Sequence, residues 1–336
     1  MNTHPDKALE KQIYYRLIAL WVICEAFAGG LMHGIKLPFT GLIISSLAIT
    51  CIILIAYHVP STTAILRATI TVAIFKLMLS PHSPPTAYIA VFFQGITGQL
   101  LFARKRLFTL SAVLLAVLGL VESAVQRIIV LVIVYGNDFW NAVNQYIQKL
   151  TGDKNITNYS LTIAVIYITI HGCMGVFIGI YAARLAKKSS LWKTQHPGLI
   201  ITAQADDIPP GTEKNNRKKK MKWIFFFCWA FLLAAWLQSW ISPTNSILTS
   251  NEAAAIITRS LLILLTWFLI ISPLLMAALR KLLLNQRLKK KEEVFEVMKL
   301  IPQATFIFKR SWQMTSEEEG FEKVKLFVKI LLINTI

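Results

Sequence analysis

Residues 107–135 read LFTLSAVLLAVLGLVESAVQRIIVLVIVY, an apolar run in which only Glu122 and Arg127 carry charge. As a helix rising 1.5 Å per residue, this run is long enough to cross the ~30 Å hydrocarbon core of a bilayer. Backbone groups find no water to pair with there, so the run must close its hydrogen bonds internally, as a helix. The short alternating segments of a membrane barrel are absent.

Comparable blocks lie on both sides of it, at residues 17–34, 39–57, 62–80 and 85–103 before it and 160–185, 223–241 and 256–280 after it. The whole chain is 55% hydrophobic and 15% charged, with a mean hydropathy of +0.56, whereas a soluble domain carries about 25% charged residues. The sequence therefore predicts an all-α polytopic membrane protein of about eight transmembrane helices plus cytoplasmic amphipathic helices. Cys24, Cys51, Cys173 and Cys228 all fall in apolar blocks without metal-ligand spacing, and read as small buried side chains. No cleavage site follows the first block, so a removable signal peptide is not expected.

Basic residues set the orientation. They gather in the N-terminal tail (Lys7, Lys11, Arg16), in Arg104-Lys105-Arg106, between Arg184 and Lys222, and from Arg280 onward; the remaining loops hold only Lys36, Lys149 and Lys154. This bias places both termini in the cytoplasm, in the cell's plasma membrane. The net charge of +18 is then mainly an orientation signal. No nucleic-acid partner is expected, and the Arg217–Lys220 run reads as a solvated inner loop.

Three regions follow. Residues 1–188 form a six-helix membrane domain. Residues 189–222, with Pro197-Gly198 and Pro209-Pro210-Gly211, form a cytoplasmic linker. Residues 223–336 hold two further spans and amphipathic helices, one with Val294, Met298 and Ile301 on a stripe and Pro302 expected to kink or divide it. Another has Phe321, Val324, Val328 and Leu331 against lysines. The chain stops on an apolar run, Leu331–Ile336, which leaves room for a further span in a longer natural chain.

Ionisable side chains inside a membrane are costly and mark pairing or function. Glu25, Arg67, Lys76, Glu122 and Arg127 are the intramembrane polar residues of interest. Glu122 and Arg127 diverge by ~140° on one helix, so pairing across helices is expected, with Arg67 opposite Glu122 or Glu25. Lys76 and Arg259 sit near span ends, where they can snorkel. On the outer side, proline-rich turns and polar loops supply candidate substrate-binding residues: Lys36, Thr40, Lys76, His82, Gln94, Trp140 and Asn144. Tight helix connections account for the same turns equally well. The chain carries no catalytic or nucleotide-binding motif, and no metal or other cofactor is expected.

Six helices in about 180 residues, the Pro38-Phe39-Thr40-Gly41 turn and glycines in the fourth span resemble the substrate-binding S component of energy-coupling factor (ECF) vitamin transporters. Span one carries Ala26-x-x-x-Gly30 where that family has Ala-x-x-x-Ala. The region from Val294 to Gly320 resembles the coupling helices of the ECF T component: Leu300-Ile301-Pro302 matches its Ile-Pro step, while Glu318-Glu319-Gly320 replaces its Ala-Arg-Gly. The resemblance implies uptake of a vitamin-like small molecule, driven by separate ABC-type ATPase subunits and involving a further transmembrane subunit. It also makes Pro302 and Arg310 candidates for coupling to the ATPases. The competing expectation is a membrane-embedded enzyme or assembly factor acting on a lipid-linked substrate through Glu25, Glu122 and Arg127; a structural subunit whose tail binds a soluble partner is a third.

Overall fold

The computed structural model describes residues 7–25, 40–80, 83–103, 107–152, 158–201, 221–241 and 252–336. Within them the chain is helical, without strands: α1 Lys7–Ile23, α2 Thr40–His58, α3 Ala64–Leu79, α4 Pro85–Phe102, α5 Phe108–Thr151, α6 Tyr159–Gln195, α7 Met221–Ile241, α8 Glu252–Thr266, α9 Ser272–Lys289, α10 Lys291–Gln313 and α11 Gly320–Thr335. A π-helical stretch, Trp267–Ile271, joins α8 to α9. Lys36, His82, Ala26, Gly30 and the basic runs 104–106 and 217–220 lie outside the described residues.

Among the described residues, four helices are long and apolar enough to cross a membrane: Thr40–His58, Phe108–Gly136, Tyr159–Gln195 and Ile257–Lys289. Their large apolar side chains also face outward, as Leu114, Leu118, Ile129, Val130 and Ile133 do on α5. Exposed apolar stripes of this size suit hydrocarbon far better than water. Not every expected span reaches this standard. Helix α3 has 16 residues, about 24 Å of rise, which falls short of the ~30 Å core.

Two compact units are discontinuous in sequence: Met1–Ser123 with His171–Gly211 and Arg280–Ile336, and Ala124–Ile170 with Thr212–Leu279. The expected domain boundary at residue 188 falls inside α6, which continues to Gln195 because its apolar face is followed by residues that keep good helical propensity. The irregular segment starts only at His196.

In the first unit, α1, α2, α3 and α4 enclose a core of Leu17, Ile18, Trp21, Ile49, Ile52, Ile53, Val72 and Phe75. Helix α3 begins without a capping side chain of its own. Gln99 on α4 supplies one: its Nε2 donates to the Thr62 carbonyl, and its Oε1 accepts the Leu66 N–H at 3.1 Å. Helices α5 and α6 meet through Gly175 and Gly179. A Cβ on either would come within 2.6 and 2.5 Å of the Val117 and Val113 Cα atoms, so backbone rests on backbone as small-x-x-x-small spacing permits.

The amphipathic helices are built into this unit. Helix α10 packs along α1, and Phe327 of α11 meets Phe308 and Trp312 of α10 edge-on at 5.2 and 5.4 Å. Asn334 fastens the end of α11 to the segment after α6, donating to the Leu199 carbonyl at 2.9 Å and accepting the Ile201 N–H at 2.7 Å. The apolar run Ile330–Ile333 is buried. Two sequence expectations change here. Helix α10 runs through Pro302 undivided, and its buried stripe is Val294, Val297 and Ile307, leaving Met298 exposed. At ~100° per residue Val297 lies ~60° to one side of Val294 and Met298 ~40° to the other, so the spacing admits either, and packing against the neighbouring helices covers Val297. On α11, Phe321 and Val324 are exposed while Leu331 is buried.

In the second unit α5 breaks at Gly136, whose φ of 69° is open to glycine. The Arg259 guanidinium lies 3.1–3.3 Å from where its Cβ would stand. Beyond the break α5 resumes to Thr151, so most of the stretch left between the apolar blocks 107–135 and 160–185 is helix. Trp229 on α7 donates to Thr266 Oγ1 at 2.9 Å. Cys24 and Cys51 are buried as expected, whereas Cys173 and Cys228 are exposed on apolar helices.

Candidate functional site

Two charged clusters occupy the first unit, and helices α1 and α3 contribute to both. At one end, Lys76 Nζ of α3 meets Glu25 Oε2, just past α1, at 2.5 Å, with side chains 8% and 4% exposed. The expectations that Lys76 snorkels and that Arg67 pairs with Glu25 or Glu122 are therefore corrected. Both side chains are deeply enclosed, and each is the opposite charge that packing brings to the other.

Gln94 lies between α2, α4 and α5, fully enclosed, with its Cγ 3.3 Å from where a Cβ on Gly119 would stand. Glu122 follows one turn further along α5. Gln94 Oε1 and Glu122 Oε2 are buried and have no hydrogen-bond partner among the described residues; the same is true of Tyr88 OH and Trp21 Nε1. Such atoms are rare in folded proteins because each forfeits its hydration. Thr40 is buried at the start of α2.

The second cluster centres on Glu293, in the first turn of α10, a residue the sequence reading did not single out. Its Oε1 accepts from Thr71 Oγ1 at 2.9 Å and Tyr14 OH at 3.1 Å. Its Oε2 receives Arg67 Nη2 at 3.2 Å and lies 3.7 Å from Lys290 Nζ. The side chain is 7% exposed against 51% for Arg67. A carboxylate in a helix's first turn also faces the positive end of the helix dipole. Burial, with Glu293 beside it, holds the Tyr14 phenol well above its usual range and keeps it a donor. Burial also pulls the Lys290 ammonium down, against the opposing pull of Glu293. Three segments far apart in sequence thus converge on one carboxylate. Glu293 reads as one more acid in a Lys-Lys-Glu-Glu run; its only distinguishing signal is its place one residue before the buried face of an amphipathic helix.

The other candidates are dispersed. Asn144 caps α6, its Oδ1 accepting the Ser160 N–H at 2.7 Å, which is a structural use. Trp140 is half-buried on the resumed part of α5. Arg127 lies on α5 in the second unit. Pro302 and Arg310 are exposed on α10, with Arg310 Nη1 3.5 Å from Gln313 Oε1. Comparisons with protein-family models, with curated proteins and with solved structures find no match to this chain.

Proposed function

We propose that this chain is a transport component of the plasma membrane, with both termini cytoplasmic. It takes up a vitamin-like small molecule using the movement of separate ATPase subunits, in the manner of the ECF transporters it resembles. One observation carries the reading: helices α1 and α3 are tied to each other by Glu25 and Lys76 at one end, and to α10 by Glu293 at the other. Tyr14 and Glu25 are about 16 Å apart along α1, and Arg67 and Lys76 about 13 Å along α3. A push on α10, whose Pro302 and Arg310 are exposed, reaches Tyr14, Arg67 and Thr71 directly. Two rigid helices carry it to the buried Glu25–Lys76 pair and toward the polar interior marked by Gln94 and Tyr88.

The test is to measure binding and uptake separately, using full-length protein in lipid nanodiscs for binding of a vitamin and metabolite panel, and intact cells for uptake. Glu293→Gln should leave ligand affinity within about twofold yet abolish uptake, while Gln94→Ala should weaken binding at least about tenfold. Absence of any ligand together with absence of a co-purifying ATPase defeats the proposal.

The buried, unpartnered Oε2 of Glu122 favours a second reading, a membrane-embedded enzyme acting on a lipid-linked substrate. Loss of product formation from Glu122→Gln with unaltered binding would select it.

A further inference from the structure

The turn between α9 and α10 opens into a groove that neither charged cluster uses. Leu284, Leu288, Phe295 and Met298 belong to its apolar lining, Arg287 and Lys291 to its charged lining, and its volume is about 740 Å³. Leu288 and Phe295 remain 63% and 51% exposed. So much apolar surface gathered in one concavity calls for an apolar occupant.

The charged lining identifies its chemistry. Lys290, between these two cations in sequence, turns to the other cluster, with its Nζ 3.7 Å from Glu293 Oε2 and 3.2 Å from the Arg67 carbonyl. Arg287 and Lys291 have no ion-pair partner among the described residues. Glu292 also lines the groove, leaving two cations against one carboxylate. Arg280, Lys281 and Lys289 add positive charge on the same helix, with no acid before Glu292. The position completes the case, since the groove begins at the charged end of Ile257–Lys289, one of the four helices long and apolar enough to cross a bilayer. A basic cluster at the end of such a helix lies at the depth of lipid headgroups.

We propose that this groove binds an anionic phospholipid, with an acyl chain along Leu288, Phe295 and Met298 and the phosphate between Arg287 and Lys291. It depends on the chain being in a membrane, and is independent of any transport role. An acidic peptide could satisfy the cations, but the continuity of the groove with a membrane-length helix favours the lipid.

The experiment uses full-length protein, delipidated in non-ionic detergent and incubated with phosphatidylglycerol or with phosphatidylcholine of the same acyl chains. Native mass spectrometry counts the lipid retained. Wild type should bind phosphatidylglycerol about tenfold to thirtyfold more tightly, and Arg287→Gln with Lys291→Gln should bring the two lipids level. Leu288→Gln with Met298→Gln should weaken both lipids alike. Inorganic phosphate at millimolar concentration should not compete. These side chains are exposed, so thermal unfolding should match wild type. Equal binding of the two lipids by wild type, an undiminished preference in Arg287→Gln/Lys291→Gln, or competition by free phosphate would each overturn the assignment. Release of a co-purifying acidic protein by those substitutions, with lipid retention unchanged, would overturn it in favour of a peptide.

Discussion

A charge that water cannot reach must find its partner within the chain, and Glu25 and Lys76 show how sharply this fixes a pair. Removing one partner leaves the other buried and uncompensated, which costs about 3–5 kcal/mol, whereas removing both can be nearly neutral. Lys76→Met should therefore destabilise the protein by about that amount, and Glu25→Leu combined with Lys76→Met should recover most of the loss. Thermal unfolding in detergent of the two single variants and the double measures this coupling; strictly additive losses would mean that the pair is not coupled in solution. Glu293 differs, because Arg67 is half in solvent and screening weakens that contact. The two hydroxyl donors, Tyr14 and Thr71, give that site its specificity.

Helix contacts in this chain are set by what the contacting residues lack as much as by what they carry. Gly175 and Gly179 have no side chain to hold α6 off α5, and the nearest backbone atoms are already at contact. Gly179→Leu should force the pair apart and cost about 1–3 kcal/mol or more, read as a lowered unfolding temperature; an unchanged temperature would show that the two helices do not rest on each other there. Pro302 is the opposite case. It removes an N–H from the interior of α10 and crowds the preceding turn, yet the helix persists because its buried face holds it against α1. Pro302→Ala restores that hydrogen bond and should stabilise the protein by about 1–3 kcal/mol. A loss of stability would mean that the proline's geometry is required for packing on α1.

At the scale of the whole molecule, the basic residues should share one side of the membrane. The end of the first unit near Tyr14 brings together Lys7, Lys11 and Arg67, with Lys290 reaching the Arg67 carbonyl, in keeping with such a bias. In a background lacking the four cysteines, Lys105→Cys and Lys218→Cys should both resist a membrane-impermeant thiol reagent in intact cells and react once the membrane is opened. Labelling of only one of them in intact cells would break the orientation. The apolar outward faces of α5, α6 and the Ile257–Lys289 helix predict in turn that the protein stays monodisperse only with detergent or lipid.

Apolar block length by itself was enough to announce helices, most of their positions and a hydrocarbon solvent, because hydrophobicity sums locally along the chain and needs no partner to be read. Thr40–His58 and the break after residue 135 fall within a residue of where the pattern puts them. The same local logic found Glu25 and Lys76 as charges in a costly place, and Gln94 only as a polar candidate beside an outer turn. Which charge meets which was settled only in three dimensions: Arg67 and Glu293 are 226 positions apart, and no periodicity links them. The run of α10 along α1, the GxxxG contact and the groove beside Arg287 are likewise products of packing, where shape and distance between remote segments decide and local composition is silent.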